Sequence, residues 1–396
     1  MKNTKNKIIL IVILAMISYG FVVAYSYYDT RYNYPQMSVV NMSEVESNFT
    51  TREIKESEKE IVMKLLPQKN NQIYFGAFPD FGGSEDNVTV QKMEEFNELA
   101  GKQIAWAYFS NNWGADGIVF PREKVEIIAS TGAIPFIRMM PRKFFDTKYD
   151  KTFSLQKIID GDFDDYLHQY AKDVKEYSEP LLIDFAVEMN GDWFPWSGVI
   201  NGGAEKTGYG DIEKADGPEK FVDAYRHIID IFRDKEVKNV TWFFHPDVYS
   251  YPENQTWNAP KEYYPGDDYI DWIGISIYGP QNPNENYWQS FSEIIAEREK
   301  EILAISDSKP LALLEFGVTD HHPLGTKTSW IMDAMNTILD KDNPVQFKAI
   351  SWWHENWEEE DGLWATLRID SSPASRALFS KFMIDSSRFS SRILVE

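Results

Sequence analysis

Two glutamates stand where a carboxylate needs a reason. Glu188 closes the apolar run Leu181-Leu-Ile-Asp-Phe-Ala-Val-Glu, and Glu315 follows Leu311-Ala-Leu-Leu. A charged group at the end of an apolar strand is costly unless it is paired or acts on a ligand. Two carboxyl groups in different surroundings can break an acetal bond without a metal. One protonates the leaving oxygen, and the other attacks the anomeric carbon or activates water. Trp193, Phe194 and Trp196 follow Glu188 closely, so desolvation predicts a raised pKa that keeps Glu188 protonated as the acid, with Glu315 ionised. The plainer reading is that either glutamate is the buried partner of an arginine such as Arg138.

Further residues near the ends of apolar runs fit a binding cleft. Tyr278 is placed to hydrogen-bond the second carboxylate, and Trp352 and Trp353 to stack beneath a sugar ring, although strand alternation lets only one of the two face the cleft. Asn190, Trp193, Trp196 and His245 are the other candidates for substrate contact. A competing constellation is His245, His321, His322 and His354 with Asp247, which would make a metallohydrolase. Against it, there is no His-x-His near a first strand and no His-Glu-x-x-His helix, so neither a metal nor a cofactor is expected.

These residues need a frame that brings distant segments to one rim. Eight apolar runs rich in β-branched and aromatic residues begin near Ile73, Ile104, Ile134, Leu181, Val240, Ile270, Leu311 and Phe347. Amphipathic stretches alternate with them: Val90 to Leu99, Arg122 to Ser130, Phe163 to Tyr177, Pro218 to Arg233, Trp288 to Ile305 and Thr328 to Leu339. Repeated βα units predict a parallel sheet, and eight of them predict a closed (β/α)8 TIM barrel over residues 72–390. A doubly wound open sheet is the alternative, because periodicity does not report closure.

The chain has 396 residues, enough for one barrel and a short targeting region. With 13 Trp and 21 Tyr it carries more aromatic surface than a core requires, as sugar-stacking clefts do. The net charge of −22 repels nucleic acid and acidic polymers and favours a neutral substrate. The absence of cysteine excludes disulfides and thiolate metal sites.

Lys2, Lys5 and Lys7 precede an uncharged apolar run from Ile8 to Tyr28. Its length suits a bilayer span, and the lysines would stay cytoplasmic, which predicts a signal anchor over residues 1–30 contacting lipid through residues 8–28. Cleavage after Ala24 would instead release a secreted protein. Residues 31–71 are polar and highly charged and are expected to form a stalk or linker.

Several segments resemble glycoside hydrolase family 26, which includes β-mannanases and mixed-linkage β-glucanases. Glu188-Met-Asn-Gly-Asp-Trp-Phe-Pro-Trp is similar to the family's acid/base segment, with the aromatic residue five positions on kept as Trp193. Ile159-Asp-Gly-Asp-Phe-Asp-Asp-Tyr, Ala224-Tyr-Arg-His-Ile-Ile-Asp-Ile-Phe-Arg, Asn239-Val-Thr-Trp, Tyr263-Tyr-Pro-Gly-Asp-Asp-Tyr-Ile-Asp-Trp-Ile-Gly and Leu314-Glu-Phe-Gly extend the likeness over residues 73–357. The resemblance implies a retaining enzyme, with Glu188 as acid/base, Glu315 as nucleophile and Tyr278 as the nucleophile's partner. It departs at Val187, where members commonly carry histidine, and at Arg138-Met-Met-Pro after the third run. The expectation is an endo-acting hydrolase of a β-linked hexose polysaccharide or oligosaccharide, mannan or glucan. The rival is a glycan-binding protein on the same barrel that has lost turnover.

Overall fold

In the computed structural model, residues 63–114, 117–143, 148–359 and 361–395 are described. The expected anchor and most of the expected stalk lie outside them. No described helix is long and apolar enough to cross a membrane.

The eight apolar runs form eight parallel strands: β1 Ile73–Phe78, β2 Trp106–Asn112, β3 Ile134–Met140, β4 Leu181–Phe185, β5 Val240–Phe244, β6 Trp272–Tyr278, β7 Leu311–Gly317 and β8 Phe347–Trp353. Nearly every strand residue is buried, which explains continuous apolar runs rather than alternation. Each strand pairs with the next in chain order, and β1 also pairs with β8 from Tyr74↔Ala349 to Phe78↔Trp353. That last ladder closes the barrel and removes the open-sheet alternative. All eight carboxy-terminal strand ends therefore share one rim.

The outer layer is α1 Val90–Ala100, α2 Arg122–Ser130, α3 Leu155–Ile159, α4 Asp164–Tyr177, α5 Asp216–Asp234, α6 Phe291–Leu303, α7 Lys327–Leu339 and α8 Pro373–Asp385. Thr89, Ser290, Thr326 and Ser372 start four of these helices, each accepting a backbone N–H from the residue three positions on. Between β5 and β6, two 3-10 turns, Thr256–Asn258 and Pro260–Tyr263, stand in place of an α-helix. Sequence periodicity did not show α3 or α8. The first is barely one turn long, and the second has little amphipathic contrast.

The last part of the expected stalk, Met63–Asn71, lies on the barrel. The Leu65 N–H donates to Thr241 Oγ1 (2.8 Å), its carbonyl accepts from Trp272 Nε1 (3.0 Å), and the Leu66 carbonyl accepts from the Tyr74 hydroxyl (2.8 Å). Thr241, Trp272 and Tyr74 sit at the starts of their strands, so this segment crosses the mouth opposite the catalytic rim. There it bridges to Val395, while Phe389–Ser390 pairs with the start of β1. The described part of the segment expected to be stalk, from Met63 onward, thus packs as part of the barrel body, on the near side of the expected boundary at residue 72.

Candidate active site

The backbone at the exit of β4 is irregular. Ala186 and Glu188 both take left-handed conformations, φ 51° and 54°, around Val187. Such conformations cost non-glycine residues about 1 to 3 kcal/mol each and persist where the surroundings fix them. Here the ladder continues on both sides of the kink: the Ala186 N–H donates to Met139 O (3.0 Å) and the Glu188 N–H to His245 O (2.7 Å). Glu188 is thereby held on the rim, 7% exposed, and its Oε2 accepts from Trp193 Nε1 at 2.9 Å. Gly191 makes this possible, since a Cβ there would collide with the Trp193 ring. Val187 is fully buried, and its carbonyl accepts from Trp196 Nε1 at 2.7 Å. Trp196 is therefore a buried support for this turn, stacked on Phe194 at 4.5 Å.

Glu315 lies within β7 rather than at its end. The β6–β7 register runs from Ile275↔Leu313 directly to Ser276↔Glu315, so Leu314 is the extra residue of a β-bulge. Leu314 packs over Gly274, where a Cβ would meet its side chain, and Glu315 also reaches interior residues of β3 and β6. Two consecutive residues thus face the barrel interior, which regular alternation forbids and a bulge permits.

Glu315 is 4% exposed. Its Oε2 accepts from the Tyr278 hydroxyl at 2.8 Å, and its Oε1 faces Arg138 Nη2 at 3.2 Å. The latter is an ion pair outside hydrogen-bond geometry, and Oε1 makes no hydrogen bond among the described residues. Arg138 is itself fixed. Its Nη1 donates to Glu85 Oε2 (2.8 Å), and its guanidinium lies over the rings of Tyr108 (5.1 Å) and Trp353 (5.0 Å). Glu85 also accepts from the Ser110 hydroxyl. Burial pushes the Glu315 carboxyl up to about 7; Arg138 opposes this, Glu188 adds to it, and the Tyr278 hydrogen bond lowers it. The upward push of burial thus falls on the carboxyl that the sequence reading kept ionised. The arginine partner foreseen as the plainer explanation is also present, so Glu315 is both paired and placed on the rim.

Below this layer lies a polar network. The Tyr108 hydroxyl donates to Asp184 Oδ2, His245 Nδ1 is 2.9 Å from the same oxygen, and His245 Nε2 is 3.0 Å from Ser276 Oγ. The partners assign the Nδ1–H tautomer. At 1% exposure, with both ring nitrogens engaged, His245 supports the floor of the site and presents no free nitrogen to a sugar. Asn190 is fully buried: its Oδ1 accepts from the Asp247 N–H (3.0 Å), while its Nδ2 donates to Asp247 O (2.8 Å) and Ser250 Oγ (3.1 Å). It staples the loop after β4 to the loop after β5.

Of the tryptophan pair, Trp352 points into the outer layer. It is fully buried, packs on Phe316 (4.8 Å) and donates to Leu367 O (2.9 Å). Trp353 faces the barrel interior, stacked on Phe78 at 4.0 Å with Arg138 over its ring, and is 5% exposed. Neither offers an open stacking face in this state. Trp193 and Tyr251, 5.7 Å apart edge to face beside Glu188, provide the accessible aromatic surface.

The histidines sit apart. His322 Nε2 lies against Glu285 O, His354 Nδ1 accepts from the Ile369 N–H, and His321 is exposed. Among the described residues no three His, Asp or Glu side chains are grouped as a metal would require.

Three carboxyls at the site were not assigned a role there from sequence. Glu85 is on a loop with no motif around it. Asp247 was considered only as a metal ligand. Glu355, two residues past β8, is buried and pushed up to about 8 by burial, then by Glu85 and Asp80. Its closeness to Trp353 in the chain was the one available signal.

Residues 146–311 match the model of glycosyl hydrolase family 26, a segment that contains Glu188 and ends before Glu315. The chain is 28% identical over 316 residues to endoglucanase H of Acetivibrio thermocellus, covering 79% of this chain and 31% of that protein. It is 28% identical over 131 residues to mannan endo-1,4-beta-mannosidase A and B of Caldalkalibacillus mannanilyticus, covering 33% of this chain and 20% of that protein. The chain thus spans less than a third of the length of either relative. In fold it is similar to a modular endo-beta-1,4-mannanase from Cellulomonas fimi, with a TM-score of 0.54 at 17% identity, covering 81% of this chain and 72% of that one. The family model and the two sequence relatives bear out the resemblance of the sequence motifs, and the structural likeness shows the fold alone.

Proposed function

We propose that this chain, a (β/α)8 barrel matching glycosyl hydrolase family 26, is a retaining endo-acting glycoside hydrolase of a β-linked hexose polysaccharide, mannan or glucan. One observation carries the reading. Two buried carboxyls share the rim with opposite kinds of partner: Glu188 meets a neutral indole N–H, whereas Glu315 meets a guanidinium and a phenol. The first setting suits a proton donor and the second a carboxylate that attacks.

In the first step a Glu315 oxygen bonds to the anomeric carbon as the glycosidic bond breaks, and the leaving oxygen takes the proton of Glu188. In the second, Glu188 removes a proton from water, the water oxygen bonds to the anomeric carbon, and the ester to Glu315 breaks. Two inversions give net retention. The leaving-group sugar would lie on the Trp193–Tyr251 side, next to the proton donor.

The test is release of new reducing ends from β-mannan, mixed-linkage and β-1,3-glucan by the wild-type chain, with the product anomer read by NMR. A β-anomer formed first supports the reading. Binding without release would leave a glycan-binding protein on this barrel, and an α-anomer would exclude Glu315 as nucleophile.

We place the protein outside the cytoplasm, held by residues 8–28 or released by cleavage after Ala24, on the pattern of its first thirty residues. Membrane fractionation with N-terminal sequencing tests both forms. Recovery in the cytosol with an intact N-terminus would refute them.

A further inference from the structure

The mechanism leaves unused a carboxylate at the centre of the barrel. Asp184 lies on β4, fully buried and opposite Arg138 in the register of β3 and β4. A carboxylate so placed is costly unless donors meet it. Its Oδ2 accepts from the Tyr108 hydroxyl and from His245 Nδ1–H, the latter at 2.9 Å, while Oδ1 has no hydrogen-bond partner among the described residues. One oxygen thus gathers a tyrosine of β2 and a histidine at the exit of β5.

Each of these donors leads on to Glu315. The Arg138 guanidinium lies over the Tyr108 ring at 5.1 Å, and Arg138 Nη2 is 3.2 Å from Glu315 Oε1. On the other side, His245 Nε2 accepts from the Ser276 hydroxyl at 3.0 Å. Ser276 is the β6 residue that pairs with Glu315 directly after the bulge at Leu314. Its main chain is fixed to the exit of β5 as well, through Pro246 O (3.1 Å) and the Val248 N–H (3.0 Å). The contacts close a ring that runs from Asp184 through Tyr108, Arg138, Glu315, Ser276 and His245. A bulge interrupts the ladder that would otherwise fix the strand, so Glu315 depends on such support.

We propose that Asp184 is a positioning residue for Glu315, holding the attacking carboxylate from two sides, through Tyr108 and Arg138 on one and through His245 and Ser276 on the other. The inference rests on the reading of Glu315 as nucleophile. Its weight lies in geometry, because a catalytic group displaced by about 1 Å can lose roughly 100-fold in rate.

The test uses the dinitrophenyl 2-fluoro-β-glycosides of mannobiose and cellobiose, which form the ester to Glu315 as dinitrophenolate leaves and then turn over slowly. The leaving group needs no proton, so the probe reports on Glu315 without Glu188, whose N–H His245 also holds. The amount of dinitrophenolate in the burst counts intact sites, and its rate reports how well Glu315 is placed. Asp184→Leu fills the volume without an acceptor and should slow the burst by about 10- to 100-fold at an undiminished amount. Tyr108→Phe and Ser276→Ala each remove one hydroxyl from the ring and should slow it by roughly 3- to 10-fold. These two variants decide the matter if Asp184→Leu does not fold. Wild-type bursts in both hydroxyl variants, or a burst of Asp184→Leu reduced in amount but not in rate, would overturn the inference alone. If the wild-type chain itself gives no burst, the reading of Glu315 as nucleophile falls and takes this inference with it.

Discussion

Arg138 stands between two carboxylates, 2.8 Å from Glu85 and 3.2 Å from Glu315, with the rings of Tyr108 and Trp353 against its guanidinium. One buried cation thus fixes the proposed nucleophile and is itself fixed by a carboxylate from the loop after β1. Arginine suits this position because its planar fork serves two partners while its faces pack on aromatic rings.

The first expectation concerns pH. Attack requires ionised Glu315, whose carboxyl is pushed up to about 7. Activity is therefore present above that value and is lost as pH falls through it, so kcat/KM should show an acid limb near 7. Arg138 favours the ionised form, and its removal raises the pKa. Arg138→Gln should shift the limb to higher pH by roughly one to two units. A wild-type profile flat from pH 5 to 8 would contradict this.

Removing the carboxyls separates their roles. Glu315→Ala and Glu188→Ala should each lower kcat on polysaccharide by about 100-fold or more. Glu188→Ala should retain much more activity on a dinitrophenyl glycoside, where no proton is needed, whereas Glu315→Ala should not. Added azide should replace the missing nucleophile and give an α-glycosyl azide with Glu315→Ala. The reverse pattern would exchange the assignments.

The β7 bulge is open to a test far from any sugar. A Cβ at residue 274 collides with Leu314, so Gly274→Ala should shift the bulge and turn Glu315 from Tyr278. Overpacking of this kind costs about 1 to 3 kcal/mol. The expected result is a folded protein with kcat reduced at least tenfold, the order of loss that small misplacement of a catalytic group produces. Full activity would show that the strand absorbs the methyl group without moving the carboxylate.

Lys327 tests the outer layer. Its buried ammonium, 1% exposed, donates to Thr366 O (2.7 Å), Arg368 O (2.6 Å) and Ser371 Oγ (3.0 Å), tying the segment after β8 to the start of α7. Lys327→Met would leave these acceptors unpaired and should destabilise the fold by roughly 2 to 4 kcal/mol. Denaturant unfolding followed by tryptophan fluorescence would measure the loss, and wild-type stability would refute the role.

The amino-acid sequence determined the eight strands, because residues buried on both faces must be apolar along their whole length. It also marked Glu188 and Glu315, because a carboxylate beside such a run is conspicuous. Their shared rim followed once eight βα units were counted. Tertiary structure alone decided closure, made by pairing across more than 270 residues between β1 and β8. It also decided which tryptophan of the Trp352–Trp353 pair faces inward, since this depends on strand register. The bulge at Leu314 is a mismatch between two strands and has no signature in either. His245 and Asn190 read as cleft residues by position, yet buried polar groups must find partners, and theirs lie 61 and 57 residues away at Asp184 and Asp247. The same reason hid Glu85: its place beside Arg138 exists only once the barrel has brought the ends of β1 and β3 together. The pair of glutamates was thus legible as chemistry, with Tyr278 and Arg138 already named beside it, and the fold supplied the carboxyl of Glu85 that holds the arginine in place.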